Sequence, residues 1–252
     1  MLEIEGLGFS YGSKKVLEDI EFKLDDGFFV SILGPNGVGK TTLLRCLCNI
    51  HRPQEGRILL DGEDILSIHP REMSKKVAYV PQKGEVVHTT VFDHVMIGRR
   101  PHMTWDSSKR DVDKAWEVIE KLGLEDISNS FIDEISGGQL QKVNIARALT
   151  QEPRLLVLDE PSNNLDLSNQ HKILQLIGDL TKDTGMAAVM TMHDINLALY
   201  YSDKVIMMYD GHIVADGGID VVTPEKVKTV YGIESDVIEY KGQRVLIPLK
   251  GQ

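Results

Sequence analysis

Two hydrophobic periodicities divide the chain into predicted strands and helices. Polar and apolar residues alternate over residues 2–9 and 16–33, which predicts half-exposed antiparallel strands with a turn near Tyr11. Continuously apolar segments predict buried strands, and they lie at residues 28–33, 77–80, 155–158 and 187–191. Further strands are predicted within residues 53–68 and in two hairpins, 204–208 with 211–215 and 237–240 with 244–248.

Between Val91 and Gln151 apolar residues recur every three or four positions, which predicts helices. We therefore predict an α/β fold in which a helical lobe, residues 91–151, is inserted into a core formed by residues 1–90 and 152–252. The lobe contains the loop Gly98-Arg99-Arg100-Pro101-His102. Its basic pair is typical of solvated loop charge, and a contact with a partner is the alternative.

The segment after the first buried strand has the strongest chemical pattern. It consists of Gly34, Pro35, Asn36, Gly37, Val38, Gly39, Lys40, Thr41 and Thr42, and a helix is predicted to follow. A strand followed by the motif G-x-x-x-x-G-K-T and then by a helix is the arrangement of the phosphate-binding P-loop. Its glycines let backbone N–H groups converge on a phosphate, Lys40 supplies a positive charge, and the Thr41 hydroxyl can ligate Mg²⁺. The sequence therefore predicts binding of a nucleoside triphosphate.

Polar residues also follow the other buried strands. Asp159 and Glu160 end one of them, where carboxylates must be paired or coordinate a metal. Beside a P-loop, Asp159 fits a water-mediated Mg²⁺ ligand, and Glu160 fits a base that orients or deprotonates the attacking water. Gln82 and His193 follow two further strands, at the edge where open α/β sheets bind ligands. The alternatives are a loop amide satisfied by backbone for Gln82 and a structural or surface role for His193.

Two more segments allow both a binding and a structural interpretation. Ser136-Gly137-Gly138-Gln139 opens a strong helix, and serine suits its N-cap although two glycines cost helix stability. Such a start favours close backbone approach to a phosphate, with a glycine-rich turn between helices as the alternative. Tyr11 lies where its ring could stack on an adenine base, but exposed tyrosines are also common in turns.

Composition restricts the functional class. The length of 252 residues suffices for one large α/β domain or for a core with a small inserted lobe. A content of 42% hydrophobic and 26% charged residues is typical of an ordinary soluble globular protein. No apolar run approaches the roughly 20 residues of a membrane helix and no signal peptide precedes Leu2, so a membrane role would depend on a partner. The net charge of −10 argues against broad nucleic-acid binding. Cys46 and Cys48 are expected to be unbridged core thiols of a reducing cytoplasm.

Taken in order, these motifs resemble the ATP-binding cassette of ABC proteins over essentially the whole chain. Residues 34–42 match Walker A, 155–160 match Walker B and 136–139 match the signature motif. Tyr11 falls at the A-loop position, Gln82 at the Q-loop, residues 163–166 at the D-loop and His193 at the switch histidine. Ile135, Leu140 and Thr41 stand where a leucine, a basic residue and a serine are usual.

The resemblance implies a P-loop NTPase (RecA-like) core with an N-terminal antiparallel β-subdomain and an inserted helical subdomain. It implies ATP and Mg²⁺ as ligands, with Thr41, Gln82 and Asp159 at the metal. It also implies a head-to-tail homodimer with ATP between the Walker A of one chain and the signature of the other. In that dimer Ser136, Gly137 and Gly138 cap the γ-phosphate, Gln139 and Asp166 complete the nucleotide site, and Lys40, Gln82, Glu160 and His193 support hydrolysis.

Finer similarity lies in residues 98–102, 160–166, 191–198 and 230–233, and it is to importer ATPases that serve ferric-siderophore, haem and vitamin B12 permeases. It implies a prokaryotic peripheral protein on the cytoplasmic face of the cell membrane. A permease dimer would be its direct partner, and a periplasmic or other extracytoplasmic solute-binding protein an indirect one.

Importers of molybdate or other metal species remain an alternative. An exporter is disfavoured because exporter cassettes are often fused to membrane helices. A soluble ABC ATPase of DNA repair or translation is disfavoured because those classes carry a long coiled coil or two cassettes. A regulator without turnover is disfavoured by the intact Glu160 and His193.

Overall fold

The structure is a computed structural model, and it describes residues 1–82, 84, 87–104, 106–163 and 165–250. The strands are β1 (Leu2–Tyr11), β2 (Lys14–Leu24), β3 (Phe29–Leu33), β4 (Glu55–Leu60), β5 (Glu63–Asp64), β6 (Val77–Val80), β7 (Leu155–Leu158), β8 (Ala187–Thr191), β9 (Lys204–Tyr209), β10 (His212–Gly217), β11 (Ser235–Tyr240) and β12 (Gln243–Pro248). The helices are α1 (Lys40–Leu47), α2 (Pro70–Lys76), α3 (Val91–Ile97), α4 (Lys109–Lys121), α5 (Gly137–Leu149), α6 (Leu167–Thr184), α7 (Ile195–Tyr201) and α8 (Pro224–Tyr231).

A six-stranded sheet forms the centre of the α/β core. Its strand order is β10-β9-β3-β8-β7-β6, with all neighbours parallel except the edge pair β9 and β10. Strands β3, β7 and β8 are buried at every position, as their continuously apolar sequences predicted. Because parallel strands share one carboxyl edge, the loops that follow β3, β6, β7 and β8 meet there.

The predicted N-terminal antiparallel β-subdomain is confirmed. Its four strands have the order β2-β1-β4-β5, and its apolar face packs on α1 in one core cluster. Of the alternating segment 16–33, only the part up to Leu24 pairs in this sheet. Residues 29–33 instead join the parallel sheet, where every one of their side chains is buried.

Helices α3, α4 and α5 lie between β6 and β7 in the chain and pack around an apolar cluster of their own. Val95 of α3, Ile119 of α4 and Val143 of α5 are fully buried in it. Gly98 permits the close approach of α3 to α5, since a Cβ there would lie 2.0 Å from the Arg147 carbonyl oxygen. On this basis we propose residues 91–151 as the helical lobe.

The expectation of solvated charge holds for Arg100, which is exposed, and is wrong for Arg99, whose side chain is 2% exposed. The Arg99 guanidinium donates to Asp111 Oδ1 at 3.0 Å, to Glu152 Oε2 at 2.8 Å and to the Thr150 carbonyl at 2.5 Å. These bonds satisfy a charge that could not otherwise be buried. Arg99 therefore ties the start of the lobe to α4 and to the segment ahead of β7.

Two expectations from composition can be compared with the structure. Cys46 and Cys48 are both free, and burial raises the pKa of the Cys46 thiol to about 12, so that it stays protonated. Among the described residues, no helix combines the length and the apolar character needed to cross a bilayer.

Candidate nucleotide site

The glycine-rich loop, residues 34–39, connects β3 to α1 at the carboxyl edge of the parallel sheet. Gly34 has φ +154°, and a Cβ there would lie 2.4 Å from the Met208 carbonyl oxygen. Gly39 has φ +106°, and its Cβ would lie 2.9 Å from the Val16 carbonyl oxygen. Gly37 has φ +83° and faces open space. The outer glycines thus allow the tight path of the loop, while the space beside Gly37 stays free for a ligand.

A cleft of about 270 Å³ opens beside this loop. It is lined by Tyr11, Lys14, Val16, Asn36, Gly37, Gly39, Lys40, Thr41, Thr42 and Glu160. Lys40 is 6% exposed, and its Nζ donates to the carbonyl oxygens of Gly34, at 2.5 Å, and Pro35, at 3.0 Å. Burial lowers the pKa of Lys40, and the nearby carboxylates oppose that shift. Phosphate oxygens can replace the loop carbonyls as stronger, charge-assisted acceptors.

Asp159 follows β7 and is 3% exposed. Its Oδ1 accepts hydrogen bonds from the hydroxyls of Thr191, at 2.8 Å, and Thr41, at 3.2 Å. Its Oδ2 accepts from the Tyr79 hydroxyl at 3.4 Å, and burial raises the pKa of Tyr79 to about 12, which keeps that phenol a donor. Thr41 and Asp159 therefore offer a hydroxyl and a carboxylate beside Lys40, and hard oxygen donors of this kind fit Mg²⁺.

Side chains from three loops contact the carboxylate of Glu160. Its carboxylate accepts from the Gln82 amide and, at 2.9 Å, from the Asn163 amide, and His193 Nε2 lies 2.5 Å from its Oε1. Its own backbone has φ +50°, and its N–H donates to Thr191 Oγ1 at 2.9 Å. Non-glycine residues in this left-handed region are uncommon and concentrate at functional sites. The Gln82 amide thus bonds to the Glu160 carboxylate, and His193 reaches the same group.

Tyr11 lies at the end of β1 and is 47% exposed at the outer end of the cleft. Its hydroxyl shares a 2.8 Å hydrogen bond with Nε2 of His51, which follows α1. The exposed part of its ring borders the same cleft as Lys40.

The Ser136 segment begins α5 as predicted. Ser136 and Gln139 form a capping box, in which the Gln139 N–H donates to Ser136 Oγ at 3.3 Å and the Ser136 N–H donates to Gln139 Oε1 at 2.9 Å. Ser136 and Gly137 are exposed, and neither lines the cleft described above.

Gly138 connects this segment to the start of α6. A Cβ at Gly138 would lie 3.0 Å from the side chain of Asn169, whose amide donates to Asp166 at 2.7 Å. Asp166 also caps α6 by accepting from the Asn169 N–H at 2.9 Å. Asn164, within the predicted D-loop, lies outside the described residues. The residues expected to act across a dimer interface are therefore apart from the cleft of their own chain.

Three residues that bond to predicted site residues were not themselves predicted. The Thr191 hydroxyl bonds to both Asp159 and the Glu160 backbone. Its position as a polar residue at the end of a buried strand could have indicated this role. Tyr79 lies in the apolar strand β6, and its hydroxyl donates to Asp159. This hydroxyl is the only polar side-chain group of that strand, and it could have indicated a role in the site. His51 lies in a polar loop, and nothing local distinguishes it.

The family model for the ABC transporter matches residues 17–163. The chain belongs to the ABC transporter family. It is an ATP-binding and ATP-hydrolysing subunit of that class. The segments that resemble Walker A, the Q-loop, the signature motif and Walker B lie within the matched region, which ends at Asn163. The fold agrees with the P-loop NTPase architecture predicted above.

Curated relatives cover nearly the whole chain. An uncharacterised ABC transporter ATP-binding protein of Methanocaldococcus jannaschii is 47% identical over 99% of this chain and 98% of its own length. The iron(3+)-hydroxamate import ATP-binding protein FhuC of Bacillus subtilis is 35% identical over 94% of this chain and 90% of its own. A phosphonates import ATP-binding protein of Oceanobacillus iheyensis is 32% identical over 93% of this chain and 96% of its own.

Solved structures of ABC transporter chains have the same fold as this chain. A chain of an inward-facing ABC transporter assigned to the metal-chelate type has a TM-score of 0.86 and 29% identity, over 99% of this chain and 97% of its own. An ATP-binding cassette in a dimeric post-hydrolysis state with ADP and phosphate has a TM-score of 0.76 and 27% identity, over 87% of this chain and 99% of its own. Cassettes of this class dimerise and work with membrane permeases.

Proposed function

We propose that this ABC ATPase is the energy-coupling subunit of an importer that takes up a metal chelate, such as a ferric siderophore or haem, or cobalamin. ATP hydrolysis in a head-to-tail homodimer would drive uptake through a separate permease. The observation that carries the catalytic part is the convergence of Gln82, Asn163 and His193 on the Glu160 carboxylate beside the Lys40 cleft.

Binding of ATP rests on the glycine-rich loop and on Lys40. The space beside Gly37 is open, and Lys40 is 6% exposed, so the attraction of its ammonium group for phosphate oxygens is weakly screened. Thr41 and Asp159 would hold Mg²⁺, whose charge offsets that of the phosphates. Tyr11 would stack against the adenine at the outer end of the cleft.

Hydrolysis requires a base, and Glu160 is the candidate. A water oxygen would attack the γ-phosphorus while Glu160 accepts the water proton, and the bond from the γ-phosphorus to the bridging oxygen would break to leave ADP and phosphate. The amides of Gln82 and Asn163 hold one carboxylate oxygen of Glu160, and His193 contacts the other. These contacts fix the carboxylate in one orientation, which is the positioning that such catalysis needs.

Closure of the site would come from a second copy of the chain. Ser136 and Gly137 present an exposed helix start to solvent, and a helix N-terminus attracts anions. Gly138, Gln139 and Asp166 would complete that surface. If ATP binds the closed dimer more tightly than the separate chains, it shifts the population toward the dimer, and hydrolysis reverses the shift.

The importer and its location rest on similarity. Relatives named for iron–hydroxamate and for phosphonate import are 35% and 32% identical to this chain, and this similarity supports a role in import. We favour a metal chelate because the 0.86 TM-score belongs to a transporter assigned to that type. Molybdate or another metal species is the alternative. The protein would work on the cytoplasmic face of a prokaryotic membrane, with the solute-binding protein acting on the far side of the permease.

Affinity capture tests this proposal. The Glu160→Gln chain, held with ATP, is incubated with detergent-solubilised membranes of its source, and the Lys40→Ala chain serves as the matched control. We expect a polytopic permease of the metal-chelate type in the first capture and less of it in the second. Capture of soluble proteins alone would contradict the importer.

A further inference from the structure

Three rings form a cluster at the outer end of the nucleotide cleft. The Phe9 and His51 rings are stacked, with centroids 5.2 Å apart and an angle of 17° between their planes. The Tyr11 ring stands edge-on to both, at 4.9 Å from Phe9 and 5.5 Å from His51. The hydrogen bond between the Tyr11 hydroxyl and His51 Nε2 closes the cluster. The Tyr11 ring is thereby held at its edge and at its hydroxyl.

A second contact fastens the loop that carries His51. The Ser10 N–H donates to Gln54 Oε1 at 2.8 Å, and Gln54 Nε2 donates to the Ser10 carbonyl at 3.2 Å. The loop of His51 and Gln54 follows α1, and α1 begins at Lys40. The short helix α1 therefore connects the phosphate-binding end of the cleft to the loop whose His51 contacts Tyr11.

We infer that His51 is a positioning residue that holds the Tyr11 ring in the orientation in which it receives the nucleotide base. This inference rests on the proposed placement of ATP in the cleft. Tyr11 is 47% exposed, so the orientation of its ring depends on side-chain contacts such as those with Phe9 and His51. A ring that is ordered before the base arrives avoids the entropy cost of ordering it on binding. The stacking of His51 on Phe9 fixes the imidazole in turn.

The test distinguishes binding of the nucleotide base from binding of the phosphates. Binding of ADP and of inorganic pyrophosphate is measured by calorimetry, and kcat and KM are measured for ATP. The variants are His51→Ala, His51→Gln and Tyr11→Ala. His88→Ala is the matched control because His88 also stacks on a phenylalanine, Phe131, and bonds to a side chain, that of Asp133, but it lies in the segment before α3 and does not line the cleft.

We expect His51→Ala to weaken ADP binding about three- to tenfold, the range of a lost aromatic contact, and to raise KM with little change in kcat. Pyrophosphate binding should stay at the wild-type value. His51→Gln should recover most of the ADP affinity because its amide can bond to the Tyr11 hydroxyl. His51→Ala should add nothing in a Tyr11→Ala background, and His88→Ala should bind ADP as the wild type does.

Three results would overturn the inference. If His51→Ala binds ADP as the wild type does while Tyr11→Ala binds it more weakly, His51 has no positioning role and the proposed base site still stands. An equal loss of ADP and pyrophosphate affinity in His51→Ala would indicate general damage to the site. If Tyr11→Ala itself binds ADP normally, the proposed base site fails and the role of His51 fails with it.

Discussion

Nε2 of His193 lies 2.5 Å from Oε1 of Glu160, and this contact joins the loop after β8 to the end of β7. The Glu160 backbone adopts φ +50° in this arrangement, and the hydroxyl of Thr191 holds its N–H. The Glu160 side chain is 10% exposed, while that of His193 is 41% exposed. The carboxylate is therefore largely shielded from solvent, while the imidazole that contacts it is considerably more exposed.

From this arrangement we predict that Glu160→Gln binds ATP and dimerises but turns over slowly. The amide keeps the size of the carboxylate but cannot take a proton, so kcat should fall by about 10²- to 10⁴-fold. Phosphate release and size-exclusion chromatography with ATP measure the two effects. Glu117→Gln, an exposed change on α4, is the control. Hydrolysis at the wild-type rate in Glu160→Gln would contradict the assignment of the base.

A second prediction concerns Lys40, which is almost buried, and Lys14, which is exposed and lines the same cleft. Lys40→Ala should lose nucleotide binding or turnover, because a desolvated ammonium interacts strongly with phosphate. Lys14→Ala should bind ATP within about threefold of the wild type, since exposed charges contribute little. Titration with a fluorescent ATP analogue compares them. Equal affinities in the two variants would contradict the central role of Lys40.

A third prediction compares two glycines of the same loop. Gly34→Ala places a methyl group against the Met208 carbonyl oxygen, at 2.4 Å, and also imposes an unfavourable φ. Gly37→Ala carries the φ penalty alone, because its side chain would meet open space. We expect Gly37→Ala to lower the free energy of unfolding by about 1 kcal/mol and Gly34→Ala by clearly more. Urea denaturation measures both, and the reverse order would contradict the described path of the loop.

The sequence predicted most of the fold and much of the candidate site because both depend on local patterns. Continuous apolar runs identified β3, β7 and β8, and the rule that ligands meet the carboxyl edge of a parallel sheet brought Gln82, Glu160 and His193 together. Arg99 could not be predicted in this way. Its partners Asp111 and Glu152 are 12 and 53 residues away in the chain, and no periodicity records a contact of that separation. The pairing of His51 with Tyr11, 40 residues apart, was hidden for the same reason.

The buried pair of Arg99 and Asp111 leads to a prediction about pH. Burial alone would raise the pKa of Asp111, but hydrogen bonds from Ser108 and Arg99 outweigh it and hold that pKa below its usual range. The folded chain therefore binds the Asp111 proton less readily than the unfolded chain does. The pair contributes its stability above the unfolded pKa of about 4, and this contribution is lost as the pH falls through the folded value.

Arg99→Met should consequently lower the free energy of unfolding by about 3 kcal/mol at neutral pH, because it leaves the Asp111 carboxylate buried without its cation. The deficit should shrink as the pH falls from neutral into the acid range, because Asp111 of the variant then takes up a proton and a neutral carboxyl group has no charge left to be paired. Adding Asp111→Asn should recover part of the stability at neutral pH, since a neutral amide replaces the unpaired charge. Urea denaturation across this pH range measures all three, with the exposed Arg100→Met as the control, expected within about 0.5 kcal/mol of the wild type. A deficit that is the same at neutral and acid pH would mean that Arg99 acts by packing and not through the charge of Asp111.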